Sequence, residues 1–221
     1  AQPLLVAAAL ATAWSVDPKI FSQADLLAGH SVGEIAAGAA AGAFSAEAAM
    51  VLVRERGRAM AEAARRVVAA APDGIVLLSP HTPRVRGAFS LLAGPRIRGD
   101  LGDFGAPAVC CDLPCGALMP RALAEACKSE GVALEDISPR RLDHGAMVPL
   151  AFLADAGWQG ETLVLGLPGE PRDEQMAALG RAIAAASEGK RWALVASGDC
   201  SHRLLPDAPA GYDPRAAQFD R

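Results

Sequence analysis

The chain has 221 residues and a net charge of −4, so it lacks the basic excess that nucleic acid or an anionic membrane surface would call for. Its 52% hydrophobic content includes only 5% aromatic residues; this is alanine richness, which favours helices and argues against an all-β fold. Five cysteines, an odd number, fit reduced cytoplasmic thiols better than a disulfide framework, and the spacing of Cys110, Cys111 and Cys115 is not that of a zinc site.

The first predicted element is a helix over residues 3–15. Its "LLVAAALATA" core has the look of a signal peptide, but no Lys or Arg precedes it and the run is too short to span a membrane. The first residue is Ala rather than Met, as expected of a trimmed or partial protein. "DLLAG" reads as a short strand and residues 32–42 as a helix. Ser45 is a good N-cap for a long helix, with Met50, Val53, Gly57, Met60, Ala64 and Val67 on one face, stopped at Pro72-Asp73-Gly74.

Beyond it the texture changes. "GIVLLSP" reads as a buried strand leading to His81, residues 116–130 as a helix closed by Gly131, and "TLVLGL" as another buried strand. Met176, Leu179 and Ile183 mark a further helix, and "WALVAS" reads as a third buried strand. Continuous apolar strands alternating with helices predict an α/β fold, with a central, mostly parallel sheet and helices on both faces. A helix-rich strand-elbow-helix fragment is expected to precede it.

Two stretches carry chemistry. In "LLAGHSVGEIAAG", Gly29-His30-Ser31-Val32-Gly33 has the G-x-S-x-G form of a nucleophile elbow, and its serine needs a base. Together with "RERGRAM" downstream, residues 1–62 resemble malonyl-CoA:acyl carrier protein transacylases. The resemblance implies Ser31 as nucleophile and Arg56 as the bidentate partner of a malonate carboxylate. It also implies malonyl-CoA or acyl carrier protein as partners. The same family needs a histidine in a phenylalanine-histidine context; His144 lies at a suitable distance but in "RLDHGAMVPLAFL", without that context.

Residues 63–221 resemble a second family. "PDGIVLLSPHTPRV", "GDLGDFGAP", "LDHGAMVPLAFL" and "ASGDCSHRLLPDAPAGYDPRAAQFD" are similar to class III extradiol ring-cleavage dioxygenases of the LigB type, most of all to Memo-like proteins. This resemblance implies His81 as a metal ligand, His144 in the substrate pocket, His202 as the acid/base and Asp199 as its orienting partner. It further implies Fe(II) or another divalent metal, held by two imidazoles and a carboxylate, and a small aromatic substrate. The domain is expected to be truncated at both ends, with the first metal histidine and the last metal ligand missing, so that any metal is weakly held.

The expected activity is therefore ring cleavage of a catechol. Malonyl transfer through Ser31 is the alternative enzyme, and a non-catalytic fusion or Memo-like binding module is the third reading. His81, His144 and His202 are expected to converge beyond the carboxyl ends of the strands, with Ser31 outside that pocket.

Overall fold

The computed structural model describes residues 2–15, 32–138, 141–198, 201, 203, 206 and 211–219. The expected strand "DLLAG" lies outside them. Helices α1 (Gln2–Ser15), α2 (Val32–Ala40) and α3 (Ala46–Ala69) come first. Ser45 caps α3 as its sequence requires, its hydroxyl accepting the Ala48 N–H at 3.1 Å. Towards its start α3 adds Ala49 and Val53 to a small apolar cluster with Val6, Leu10 and Ala36; near its end Ala64 belongs to the main core. One uninterrupted helix thus ties two clusters together, and the junction between the two sequence textures falls inside it.

Strands β1 (Gly74–Ser79), β2 (Phe89–Leu92), β3 (Arg96–Leu101) and β4 (Ala106–Pro114) follow. Then come α4 (Leu118–Ser129), β5 (Leu134–Ile137), α5 (His144–Asp155), β6 (Thr162–Gly166), α6 (Asp173–Ala186), β7 (Trp192–Ala196) and the short α7 (Ala216–Phe219). Among the described residues five strands make one sheet in the order β5-β2-β6-β1-β7. All its pairings are parallel except β2 with β6. The fold is α/β with a mostly parallel central sheet. β6 is buried at every residue, as a strand covered on both faces must be.

β7 differs from the expectation of a third buried strand. Among the described residues it is an edge strand paired with β1, and its Leu194 is 56% exposed. Met176 likewise faces solvent, while Leu179 and Ile183 of the same helix are buried. Among the described residues, no helix is long and apolar enough to cross a membrane.

β3 and β4 form a separate antiparallel hairpin. Along β3 the outward Arg96 and Arg98 alternate with the buried Ile97, Gly99 and Leu101, the period-two pattern of a strand with one wet face. Gly99 lets the hairpin lie close on α5: a Cβ there would stand 2.7 Å from Met147 Sδ and 2.8 Å from Leu142 Cβ. This packing carries the 3-10 turn Gly102–Phe104 towards the start of α5.

Candidate active site

β1 runs into Pro80, His81 and Thr82 at the carboxyl edge of the sheet. Its parallel neighbours β6 and β7 lie on opposite sides of it, the arrangement that opens a crevice beyond strand ends in α/β sheets. The Ser197 N–H donates to Leu78 O at 2.9 Å, so the chain leaves β7 beside the end of β1.

α5 begins at this edge. Asp143 is its N-cap, and Oδ1 accepts the Ala146 N–H at 3.0 Å, satisfying a free donor of the first turn. The same oxygen accepts from Ser79 Oγ at 2.6 Å, and Oδ2 accepts from Thr82 Oγ1 at 2.6 Å. Ser79 and Thr82, both buried, flank the turn that carries His81. One carboxylate therefore fixes the end of β1, the turn after it and the start of α5. Gly145 makes this approach sterically possible: a Cβ there would stand 2.7 Å from Ser79 Oγ and 3.0 Å from His81 Cδ2.

His144 is the first residue of α5, and its ring lies beside that of His81, centroids 4.2 Å apart and planes tilted by 35°. Phe104 meets His144 edge-on at 5.6 Å. His81 is exposed and His144 half-buried, so the imidazole pair opens to solvent.

The fold thus brings together two of the sequence-identified residues, His81 and His144. Asp199 and His202 lie outside the described residues, as do Ser31 and Asp220. Arg56 sits on α3 with Nη1 buried and without a hydrogen-bond partner among the described residues. Asp213, the other acid near the end of the chain, is held by Arg215 through a two-point ion pair and by Arg203 at 3.8 Å. The Arg215 side chain and backbone N–H, with the Arg203 charge, hold this carboxyl well below the usual range.

Among the described residues no three His, Cys, Asp or Glu side chains are grouped to hold a metal. Both Asp143 oxygens are committed to Ser79, Thr82 and the helix start, and Asp213 is committed to arginines. The described donor set is therefore an imidazole pair without a free carboxylate.

Sequence reasoning missed Asp143 and Phe104. Asp143 had a legible sign, a cap residue three positions before Ala146 at the start of an apolar helix. Phe104 stands in the block "GDLGDFGAP", but its contact depends on a hairpin that residue pattern alone did not disclose. Among the described residues Cys111, Cys115 and Cys127 are buried free thiols and Cys110 is an exposed one.

Residues 46–221 match the family described as the catalytic LigB subunit of aromatic ring-opening dioxygenase. The chain belongs to that family. The match starts at the first residue of α3 and takes in the His81–His144 pair. The chain is also 29% identical, over 169 residues, to Protein CA_C1420 of Clostridium acetobutylicum, a name that states no activity. That alignment covers 72% of this chain and 36% of the relative, so the chain corresponds to about a third of that protein. These matches support the LigB-type resemblance and lend nothing to the transacylase resemblance of residues 1–62, or to the malonyl-CoA and acyl carrier protein partners it implied.

Proposed function

We propose that the site at the carboxyl edge of the sheet opens a catecholic ring by metal-dependent extradiol cleavage. The observation that carries this reading is the pair of imidazoles, His81 and His144, set side by side on two elements locked by one carboxylate. In this reading His81 holds a divalent metal, Fe(II) by preference, because neutral imidazole suits iron and leaves positions open for other ligands. The metal supplies a place for a catecholate and dioxygen to meet. His144, on the rim of the same crevice, positions the ring through a hydrogen bond to a phenolic oxygen. His202, oriented by Asp199, takes the catechol proton and returns it, a task for a side chain that titrates near neutrality.

The test is oxygen uptake by the Fe(II)-supplemented chain with catechol, together with the yellow ring-opened semialdehyde. Uptake that falls at least about a hundredfold in His81→Ala and in His202→Ala supports the reading, the usual scale for loss of a catalytic acid or base. No product with iron supplied, across catechols of different substitution, overturns it.

A second reading is a non-catalytic binding module of the same fold. It is favoured by the commitment of Asp143: the carboxylate beside His144 serves structure, with both its oxygens already accepting hydrogen bonds that compete with a metal. Catechol binding without oxygen uptake, at saturating iron, would select it.

A further inference from the structure

A groove of about 730 Å³ runs between α3, α5 and the hairpin, with Pro3 of α1 also in its lining. Its α5 wall is Val148, Ala151, Phe152 and Ala154, reaching Asp155 at the far end. Val148, Ala151, Phe152 and Asp155 follow His144 at spacings of four, seven, eight and eleven, so these four continue the helical stripe on which His144 stands. The hairpin offers a second connection. Leu101 lines the groove, and Phe104, at the end of the next turn, packs edge-on against His144.

The groove is large and mainly apolar. Its volume falls in the range of sites that enclose a small organic ligand, roughly 300–1,000 Å³. On the α3 wall Gly57 faces open space, with nothing within 4 Å of where a Cβ would stand. Charge gathers at the rim and is balanced there: Arg54 and Arg58 line it with Asp155, and Glu55 binds Arg58 at 2.9 Å. This rim offers an anion no net attraction.

We infer that the groove takes an apolar alkyl or aryl tail of the substrate whose ring sits at His81 and His144, an assignment that rests on the ring-opening reading above. The site would then select catechols with an extended apolar substituent over catechol itself. Selection comes from burial: each methylene removed from water adds about 0.8 kcal/mol, close to a fourfold gain in affinity.

Calorimetric titration of the full chain with phenol and 4-octylphenol tests the groove without any turnover. The octyl compound is expected to bind at least about tenfold more tightly. Gly57→Phe and Ala108→Trp each place a ring in the groove from an open or exposed position, so the fold tolerates them. Both should bring 4-octylphenol down to the affinity of phenol while leaving phenol itself unchanged. Cys110, exposed on the β4 wall, should be protected from iodoacetamide by 4-octylphenol and not by phenol. Equal affinities for the two phenols, or no effect of either variant, overturn the inference. So does a dimer in sedimentation that both variants dissociate, since a second copy would then fill the groove. If 4-octylphenol binds as stated but no catechol is opened, the ring-opening reading falls and the groove stands.

Discussion

Asp143 Oδ2 accepts a hydrogen bond from Thr82 Oγ1 at 2.6 Å, tying the cap of the helix that begins at His144 to the residue after His81. The two imidazoles therefore owe their spacing to a residue that is not itself a member of the pair. Asp143→Ala would leave the buried Ser79 and Thr82 hydroxyls without their acceptor and would uncap α5. Loss of a helix cap costs about 1 kcal/mol, and loss of hydrogen bonds to a charged group about 1.5–3 kcal/mol. A fall of about 3 kcal/mol in unfolding free energy is expected from urea titration. Asp143→Asn keeps one acceptor and the cap, and should lose less than half as much. Equal loss in the two variants would show that the charge, rather than the geometry, holds the site together.

Gly145 is a second point of constraint, for a steric reason. An alanine there would press its Cβ on Ser79 Oγ at 2.7 Å and on His81 Cδ2 at 3.0 Å. Ser79 is buried and cannot swing away without breaking its bond to Asp143. Overpacking of this kind costs about 1–3 kcal/mol, against the small helix-propensity gain from alanine. Gly145→Ala is expected to lower the thermal midpoint and to reduce ring-opening turnover more than catechol affinity, because the rings are displaced rather than removed. An unchanged or raised midpoint would show that the start of α5 yields freely.

The sheet and the helices were legible wherever burial is continuous or has helical period. "GIVLLSP" and "TLVLGL" announce β1 and β6 because strands covered on both faces need apolar residues at consecutive positions. "WALVAS" has the same composition but stands at the edge of the sheet among the described residues, and composition does not tell which strand takes the edge. The hairpin was hidden because one of the three inward positions of "RIRGDL" is Gly99, which is there for close packing on Met147 and weakens the apolar alternation of Ile97 and Leu101. At the site, the resemblance pointed to His81 and His144. Their mutual distance depends on Asp143, whose long-range bonds to Ser79 and Thr82 have no sequence period to reveal them.

Alkaline instability should trace in part to Cys111. Burial first, and then the negative charges of Cys110 and Asp112, push this thiol from 9.0 up to about 11. A thiol with a raised folded-state pKa binds its proton more tightly in the native chain than in the unfolded one. Between about pH 9 and about pH 11 the native state thus holds more protons, and stability falls as pH rises. Urea midpoints measured across that window should decline, and more gently in Cys111→Ala, which starts lower from lost packing. Cys115 and Cys127 are also raised by burial, so a residual decline remains. Identical slopes in the variant and the parent chain would remove Cys111 from the account.

Iron binding is expected to centre on His81 and to be weak. The described residues place two imidazoles together, and the carboxylates of Asp143 and Asp213 are already taken, by hydroxyls and a helix start in one case and by arginines in the other. Freeing Asp143 would break the clamp on Ser79 and Thr82; freeing Asp213 would break its ion pair with Arg215. Each carboxylate already carries hydrogen bonds or ion pairs that compete with a metal, which lowers affinity relative to a preformed site with two histidines and one carboxylate. Anaerobic equilibrium dialysis with Fe(II) should leave less than one iron per chain, and His81→Ala should abolish what remains. His144→Ala should leave the iron and weaken catechol binding, in keeping with a pocket residue rather than a ligand. One iron per chain retained through dialysis would mean that another carboxylate completes the site. Asp199→Asn and Asp220→Asn would then identify it, by which of the two releases the metal.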